Sequence, residues 1–219
     1  MTEGTAEPVI GRSARKRQAI TAEATTLFLR QGFRGTSMDE VAAAAAVSKQ
    51  TVYKQFSDKE GLFREIVAGI TRNADAIIAS ITAAFGATPA GNREELETRL
   101  TGVARTYLDG VLQTRVFSLR RLIIAEAEQF PDLAADYYRQ APAAGIETVA
   151  AQLEPYRASG LIIADDVRVA AAHFAYLTLS PAQDRAMFIP SDLPSAADRQ
   201  RFAATAASAF VAAYGASAR

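Results

Sequence analysis

Cysteine is absent from the 219 residues, and histidine occurs once, as His173. The first absence excludes disulfides and thiolate metal or redox sites. The second leaves too few imidazoles for a multi-histidine zinc centre. No Gly-x-Ser-x-Gly elbow, Walker loop or dinucleotide fingerprint occurs either. Arg120, Arg121, Glu126 and Glu128 share one helical stretch at the spacing of ordinary salt-bridge partners. These absences point away from an enzyme, and no cofactor or metal is expected. No run approaches eighteen uninterrupted apolar residues, and Met1 to Gly11 is polar without an apolar signal core. A cytoplasmic chain with no membrane partner is therefore expected.

Excess charge of one sign is also missing, since the formal net charge is zero. Its distribution is uneven, however. Between Ile10 and Phe56 eight basic side chains (Arg12, Arg15, Lys16, Arg17, Arg30, Arg34, Lys49, Lys54) stand against three acidic ones (Glu23, Asp39, Glu40). A basic front on a mildly acidic remainder is the asymmetry of a lobe that meets phosphate.

Strand-like alternation is scarce, and apolar residues recur at helical spacing. Ile20, Ala24, Leu27 and Phe28 mark a first helix over about Ser13 to Gln31, stopped by Gly32. Leu62, Ile66, Ile70, Ile77, Ile81 and Phe85 keep one face of a long helix up to Gly86. After a loop over 86–92, helices are expected over Arg93 to Gln113, Arg115 to Phe130 and Pro131 to Ser159, with Pro142 breaking or kinking the last. Val167, Ala170, Ala171, Phe174 and Leu177 mark another helix, capped by Asp165 or Asp166. Ser180 to Pro194 reads as a polar, irregular loop, and a final helix runs from Ser195 to Tyr214. The fold class is all-α.

Residues 33–63 carry the chemistry. Ser37 with Glu40 forms a capping box for a short helix to about Ala44, and Ser48 caps the next, with Val47 and Val52 as a hydrophobic staple. Ser57 with Glu60 reads as a second capping box. Two short helices three or four residues apart, after an amphipathic helix, make a helix-turn-helix. Val52 and Phe56 face the small core, leaving Lys49, Gln50, Thr51, Tyr53, Lys54 and Gln55 on the outer and flanking surface. Gln50 and Thr51 suit base edges, and Lys49 suits guanine or phosphate. Tyr53, Lys54 and Thr36 suit the DNA backbone, with Lys59 adding a phosphate contact.

The run Gly32-Phe33, Thr36-Ser37, Val41-Ala42, Val47-Ser48 and Tyr53-x-x-Phe56-x-x-Lys59-Glu60-x-Leu62 resembles the N-terminal pattern of the TetR/AcrR family of bacterial regulators. One departure is Ala46, where that family usually has glycine. The resemblance implies a three-helix DNA-binding domain over 12–60, behind a disordered tail over 1–11. It implies DNA contacts at Thr36, Ser37, Lys49, Gln50, Thr51, Tyr53, Lys54 and Lys59. The segment from Arg121 to Leu133 is similar to the AefR-like regulatory domain of the family. That implies a helical effector-binding and dimerisation domain over 61–215.

The expected partners are double-stranded DNA with a palindromic operator, a second copy of the chain, and an unidentified small-molecule effector. Ala170, Ala171, Phe174, Phe202, Ala206 and Phe210 form small-residue ridges with aromatic knobs, suited to a dimer interface or equally to the subunit's own core. An effector pocket is expected among Tyr107, Phe117, Arg121, Tyr138, His173 and Phe174, each of which also fits a plain core or surface role. The function implied is a repressor released by a largely hydrophobic effector. The alternative is a constitutive DNA-binding regulator whose helical lobe recruits a protein.

Overall fold

The computed structural model describes residues 11–216, except the side chains of Ile70 and Asn73. The expected tail, save Gly11, and the contribution of Ile70 to the long helix's apolar face lie outside the described residues. Every regular element described is helical, and the one β-type pairing is an isolated bridge between Ile162 and Gly215. The chain divides after Ala68 into two compact units, a head and a body.

The head begins with α1 (Arg12–Gly35), which carries Ile20, Ala24, Leu27 and Phe28 on its buried face. Gly32 interrupts this helix at φ 75°, the left-handed backbone for which glycine carries no Cβ penalty. The expected stop is thus a sharp kink, and one further turn carries Phe33 into the core. There Phe28, Phe33 and Phe63 pack ring against ring, with centroids 5.2–5.7 Å apart. Helix α2 (Met38–Ala44) opens with the expected capping box between Ser37 and Glu40. Two hydrogen bonds from Ser37, backbone first and hydroxyl second, hold the Glu40 carboxyl below its usual range. Helix α3 (Lys49–Gln55) starts at Ser48, whose Oγ accepts from the Thr51 amide at 3.1 Å.

Between α2 and α3 the chain turns at Ala46, the one described non-glycine residue with positive φ, at 52°. Such a backbone is strained for any residue with a Cβ. Ala46→Gly is expected to raise stability by about 0.5–1 kcal/mol, the relieved strain less the entropy that glycine adds to the unfolded chain. Denaturant unfolding checks this, and an unchanged or lowered midpoint would mean that the turn stores no strain.

Helix α4 (Lys59–Phe85) is capped by Asp58, whose Oδ1 accepts from the Gly61 amide at 2.7 Å. The expected Ser57 box is therefore displaced by one residue: Asp58 directly precedes the first helical residue, and its carboxylate takes the free amide of the third. By length and composition α4 would suffice to cross a membrane, with a mean hydropathy of 1.2 in its best window. Part of its apolar surface is packed into protein cores. Leu62, Phe63, Ile66 and Val67 are buried in the head, and Ile81 and Phe85 in the body.

The body continues with α5 (Arg93–Val111), α6 (Thr114–Ala125), α7 (Pro131–Tyr138), a π-helical segment (Arg139–Ala143), α8 (Ala144–Ala158), α9 (Val167–Phe188) and α10 (Ala196–Tyr214). Pro142 lies inside the π-helical segment, so the expected kink is a widened turn joining α7 to α8. Helix α9 is capped by Asp166 and runs through Pro181 to Phe188, which replaces most of the loop expected from Ser180. Burial of Ala182 and Ala186 continues its apolar face beyond the proline. Packing of α10 on α5 and α9, and of α8 on α9, builds the core. Phe174 and Phe210 meet edge to face within it, 5.4 Å between centroids. Asp109 of α5 reaches Arg199 of α10 at 2.6 Å and reinforces that pair at the surface.

Candidate nucleic-acid interface

Helix α3 is a seven-residue helix of about two turns. Val52 is completely buried, which fixes the rotation of the helix on the head and turns its other sides outward. Gln50, Tyr53 and Lys54 are exposed, and none of their side chains has a hydrogen bond or ion pair among the described residues. An amide, a phenol and an ammonium on one exposed helix are the groups that read base edges and grip phosphates. Lys49 is exposed and pairs with Asp39 of α2 at 2.7 Å, and that hydrogen bond raises its pKa. A pair so exposed contributes little stability, so a phosphate can displace the carboxylate at small cost. Thr51 is half-buried and its hydroxyl lies 2.8 Å from Ser48 Oγ, within the cap of its own helix.

Three other predicted contact residues are placed with internal partners. The Ser37 hydroxyl donates to Glu40 at 2.8 Å in the α2 cap. Thr36 is only 2% exposed, and its hydroxyl donates to the Gly32 carbonyl at 2.9 Å. Lys59 Nζ donates to the carbonyls of Phe33 and Thr36, at 3.0 and 2.9 Å, and sits 4.5 Å from the Phe33 ring centroid. Thr36 and Lys59 thus tie the kinked end of α1 to the start of α4. A phosphate role for either requires these bonds to be exchanged.

A residue absent from the sequence-based set, Arg17, supports α3 from behind. Its guanidinium donates to the Gln55 carbonyl at 2.8 Å, covers the Phe56 ring at 4.3 Å and pairs with Glu65 at 3.2 Å. The Gln55 side chain in turn donates to Ser13 at 3.0 Å. The sequence carried only a faint signal for this, a basic residue early on α1 beside its buried face.

The body holds a small, largely apolar cavity that opens to solvent. Of the six expected pocket residues only Tyr107 lines it. Phe117 and Phe174 are core residues, Tyr138 is 52% exposed, and His173 pairs through Nδ1 with the Tyr214 hydroxyl. Arg121 is half-buried and absent from the wall. The wall is formed by their neighbours Val116, Arg120, Tyr137, Ala175 and Tyr176. One residue along a helix is about 100° around it, so an error of one position exchanges wall for core.

The expected dimer residues need a similar correction. Ala170, Ala171, Phe174, Ala206 and Phe210 are buried within the single chain and fill its own core, while Phe202 is half-buried against that core. The outward stripe of α9 is Val169, His173, Leu177, Ser180, Asp184 and Phe188. On α10 the outward residues include Ala204, Thr205, Ser208 and Ala212.

A helix-turn-helix with a cleared outer face, carried by a chain with a separate helical body, defines a DNA-binding regulator. Comparison with known proteins agrees. Residues 20–66 match the model of bacterial regulatory proteins of the tetR family, and residues 98–216 match the AefR-like transcriptional repressor C-terminal domain. The chain belongs to the TetR family of transcriptional regulators, whose members bind operator DNA and act as dimers.

A TetR-family regulator from Mesorhizobium loti MAFF303099 is 35% identical, with a TM-score of 0.79 over 94% of this chain and 100% of its own. The flavonoid-responsive regulator FrrA is 29% identical, with a TM-score of 0.68 over 93% of this chain and 99% of its own. The regulator TcmR of Streptomyces glaucescens is 29% identical over 58% of this chain and 54% of its own length. AcrR of Shigella flexneri is 33% identical over 50% and 46% respectively. The chain spans about half the length of these two curated relatives.

Proposed function

We propose that this chain is a repressor that reads a palindromic operator with one α3 from each of two protomers, and that a small, largely apolar effector in the body releases it. The observation that carries the reading is the outer face of α3, where Gln50, Tyr53 and Lys54 stand exposed and unpaired. Residues 12–60 act as the reading head and 61–215 as the effector and dimerisation domain. Gln50, with Lys49 and Thr51, meets base edges, whereas Tyr53 and Lys54 hold the backbone. The dimer forms through the outward stripes of α9 and α10, so that two heads address half-sites about 34 Å apart.

The effector reading is supported by the cavity and by the flavonoid response in the name of FrrA. Ala74, Ile77, Ile78 and Ile81 of α4 line the cavity, and the first turns of the same helix hold Leu62 and Phe63 in the head core. An effector that binds one setting of α4 more tightly shifts the population towards the setting in which two copies of α3 no longer match the half-sites.

Binding of the purified protein to DNA from upstream of its own coding sequence, against scrambled DNA of equal length, tests the reading. Specific binding that weakens steeply with salt supports it. Lys54→Ala is expected to weaken binding about tenfold on every sequence and to lower the salt slope by about one. Gln50→Ala is expected to cost about 1–3 kcal/mol on the operator only. Equal losses on operator and scrambled DNA for both variants would remove α3 as the reading element.

A further inference from the structure

We infer that the body cavity selects a hydroxylated aromatic acid, its anionic end held by Arg120 and its hydroxyl by Gln183. The inference rests on the effector reading above and names the chemical class that site takes.

The wall is mostly apolar, built by Ile77, Ile78, Ile81, Val111, Ile146 and Leu179, which favours an aromatic or aliphatic frame. Its polar groups are few and share one property. Arg120 is half-buried and has neither a carboxylate partner nor a hydrogen bond among the described residues. No aspartate or glutamate lines the cavity. Tyr107, Tyr137 and Tyr176 bring the other titratable groups to the wall, and burial pushes the Tyr107 phenol up to about 12 and the Tyr137 phenol in the same direction. Both phenols stay neutral near pH 7 and cannot neutralise Arg120. An unpaired guanidinium in an apolar wall is poorly solvated once a ligand fills the cavity, and only an anion or a strong acceptor compensates it. A cationic ligand would meet uncompensated repulsion there.

A second orphan points to a donor on the ligand. Gln183 Oε1 is buried with no hydrogen-bond partner among the described residues. Buried acceptors are rarely left unpaired, and since Gln183 belongs to the cavity wall, a turn of its side chain would offer this oxygen to a ligand hydroxyl. The cavity wall also includes Ala141 and Pro142 of the π-helical segment, next to Gly145. A Cβ at Gly145 would lie 2.8 Å from the Tyr107 hydroxyl. Glycine there lets the Tyr107 ring lie close against α8, and π-helical turns recur at ligand sites.

The test is calorimetric titration of the full-length protein with four matched probes: 4-hydroxycinnamate, its methyl ester, cinnamate and tyramine. The acid is expected to bind about tenfold or more tightly than its ester, and tyramine not to bind. Arg120→Met is expected to erase the advantage of acid over ester, and Arg120→Lys to keep most of it. Gln183→Leu is expected to erase the advantage of 4-hydroxycinnamate over cinnamate. A thermal-shift screen of neutral, anionic and cationic aromatic compounds covers scaffolds of other shapes. Neutral or cationic ligands that bind as well as acids overturn this inference and leave the effector reading standing. Absence of binding by any class overturns both.

Discussion

Leu177→Glu is expected to convert the protein from dimer to monomer and to lower operator affinity by about two orders of magnitude or more. Leu177 stands 41% exposed on α9, in line with Val169 and Phe188 on the outward stripe. It is partly open to solvent among the described residues, so a carboxylate there is solvated in the monomer and costs the fold little. In a dimer closed through α9 and α10 it would be buried against its own symmetry mate. Each interface would then contain two unpaired carboxylates, which isologous symmetry brings together. The DNA effect follows from linkage of two weak heads. Without the partner, the second half-site is no longer bound at high effective concentration, and affinity falls by about 10²–10⁴. Light scattering with size-exclusion chromatography reads the first effect and operator titration the second. A variant that stays dimeric with full affinity would place the interface elsewhere on the body.

Lys59→Met is expected to lower the stability of the head by about 2–3 kcal/mol while leaving the salt slope of DNA binding unchanged. The ammonium satisfies two carbonyls, those of Phe33 and Thr36. Its loss leaves both acceptors short of a donor in a part-buried place, and hydrogen bonds to charged groups contribute about 1.5–3 kcal/mol each. Methionine keeps the length and the contact with the Phe33 ring, so the change isolates the charge. Were Lys59 a phosphate contact instead, the slope of log affinity against log salt would fall by about one, with little change in unfolding. The two outcomes separate a clamp from a contact.

Much of the head could be read in the sequence because its determinants are local. Ser37 with Glu40, and Ser48 before Lys49, are caps whose partners lie three residues away, and the side chains meet as the spacing requires. Ile20, Ala24, Leu27 and Phe28 share a face by helical period alone. The strain at Ala46 was legible as a missing glycine. Ser57 and Asp58 both fit a cap, and only the hydrogen bond from Gly61 decides between them.

The body was legible as helices and much less as a site. Period shows which residues share a face, and not what that face meets. Phe174, Ala206 and Phe210 therefore suited an interface and a core equally, and the packing of α5, α9 and α10 makes them core. Several expected pocket residues stand one position from the cavity wall: Arg121 beside Arg120, Tyr138 beside Tyr137, Phe117 beside Val116. The π-helical segment shifts helical phase in a way a regular period does not express, and the run of α9 through Pro181 overrides a breaker signal.

The central claim, that α3 reads DNA, is tested most directly by selecting binders from random-sequence duplex DNA with the wild-type protein and with Gln50→Ala. The account predicts an enriched palindrome with half-site centres one helical turn apart, and loss of preference at one position per half-site for Gln50→Ala. Enrichment of no sequence above background, or an identical enriched palindrome from both proteins, would contradict it.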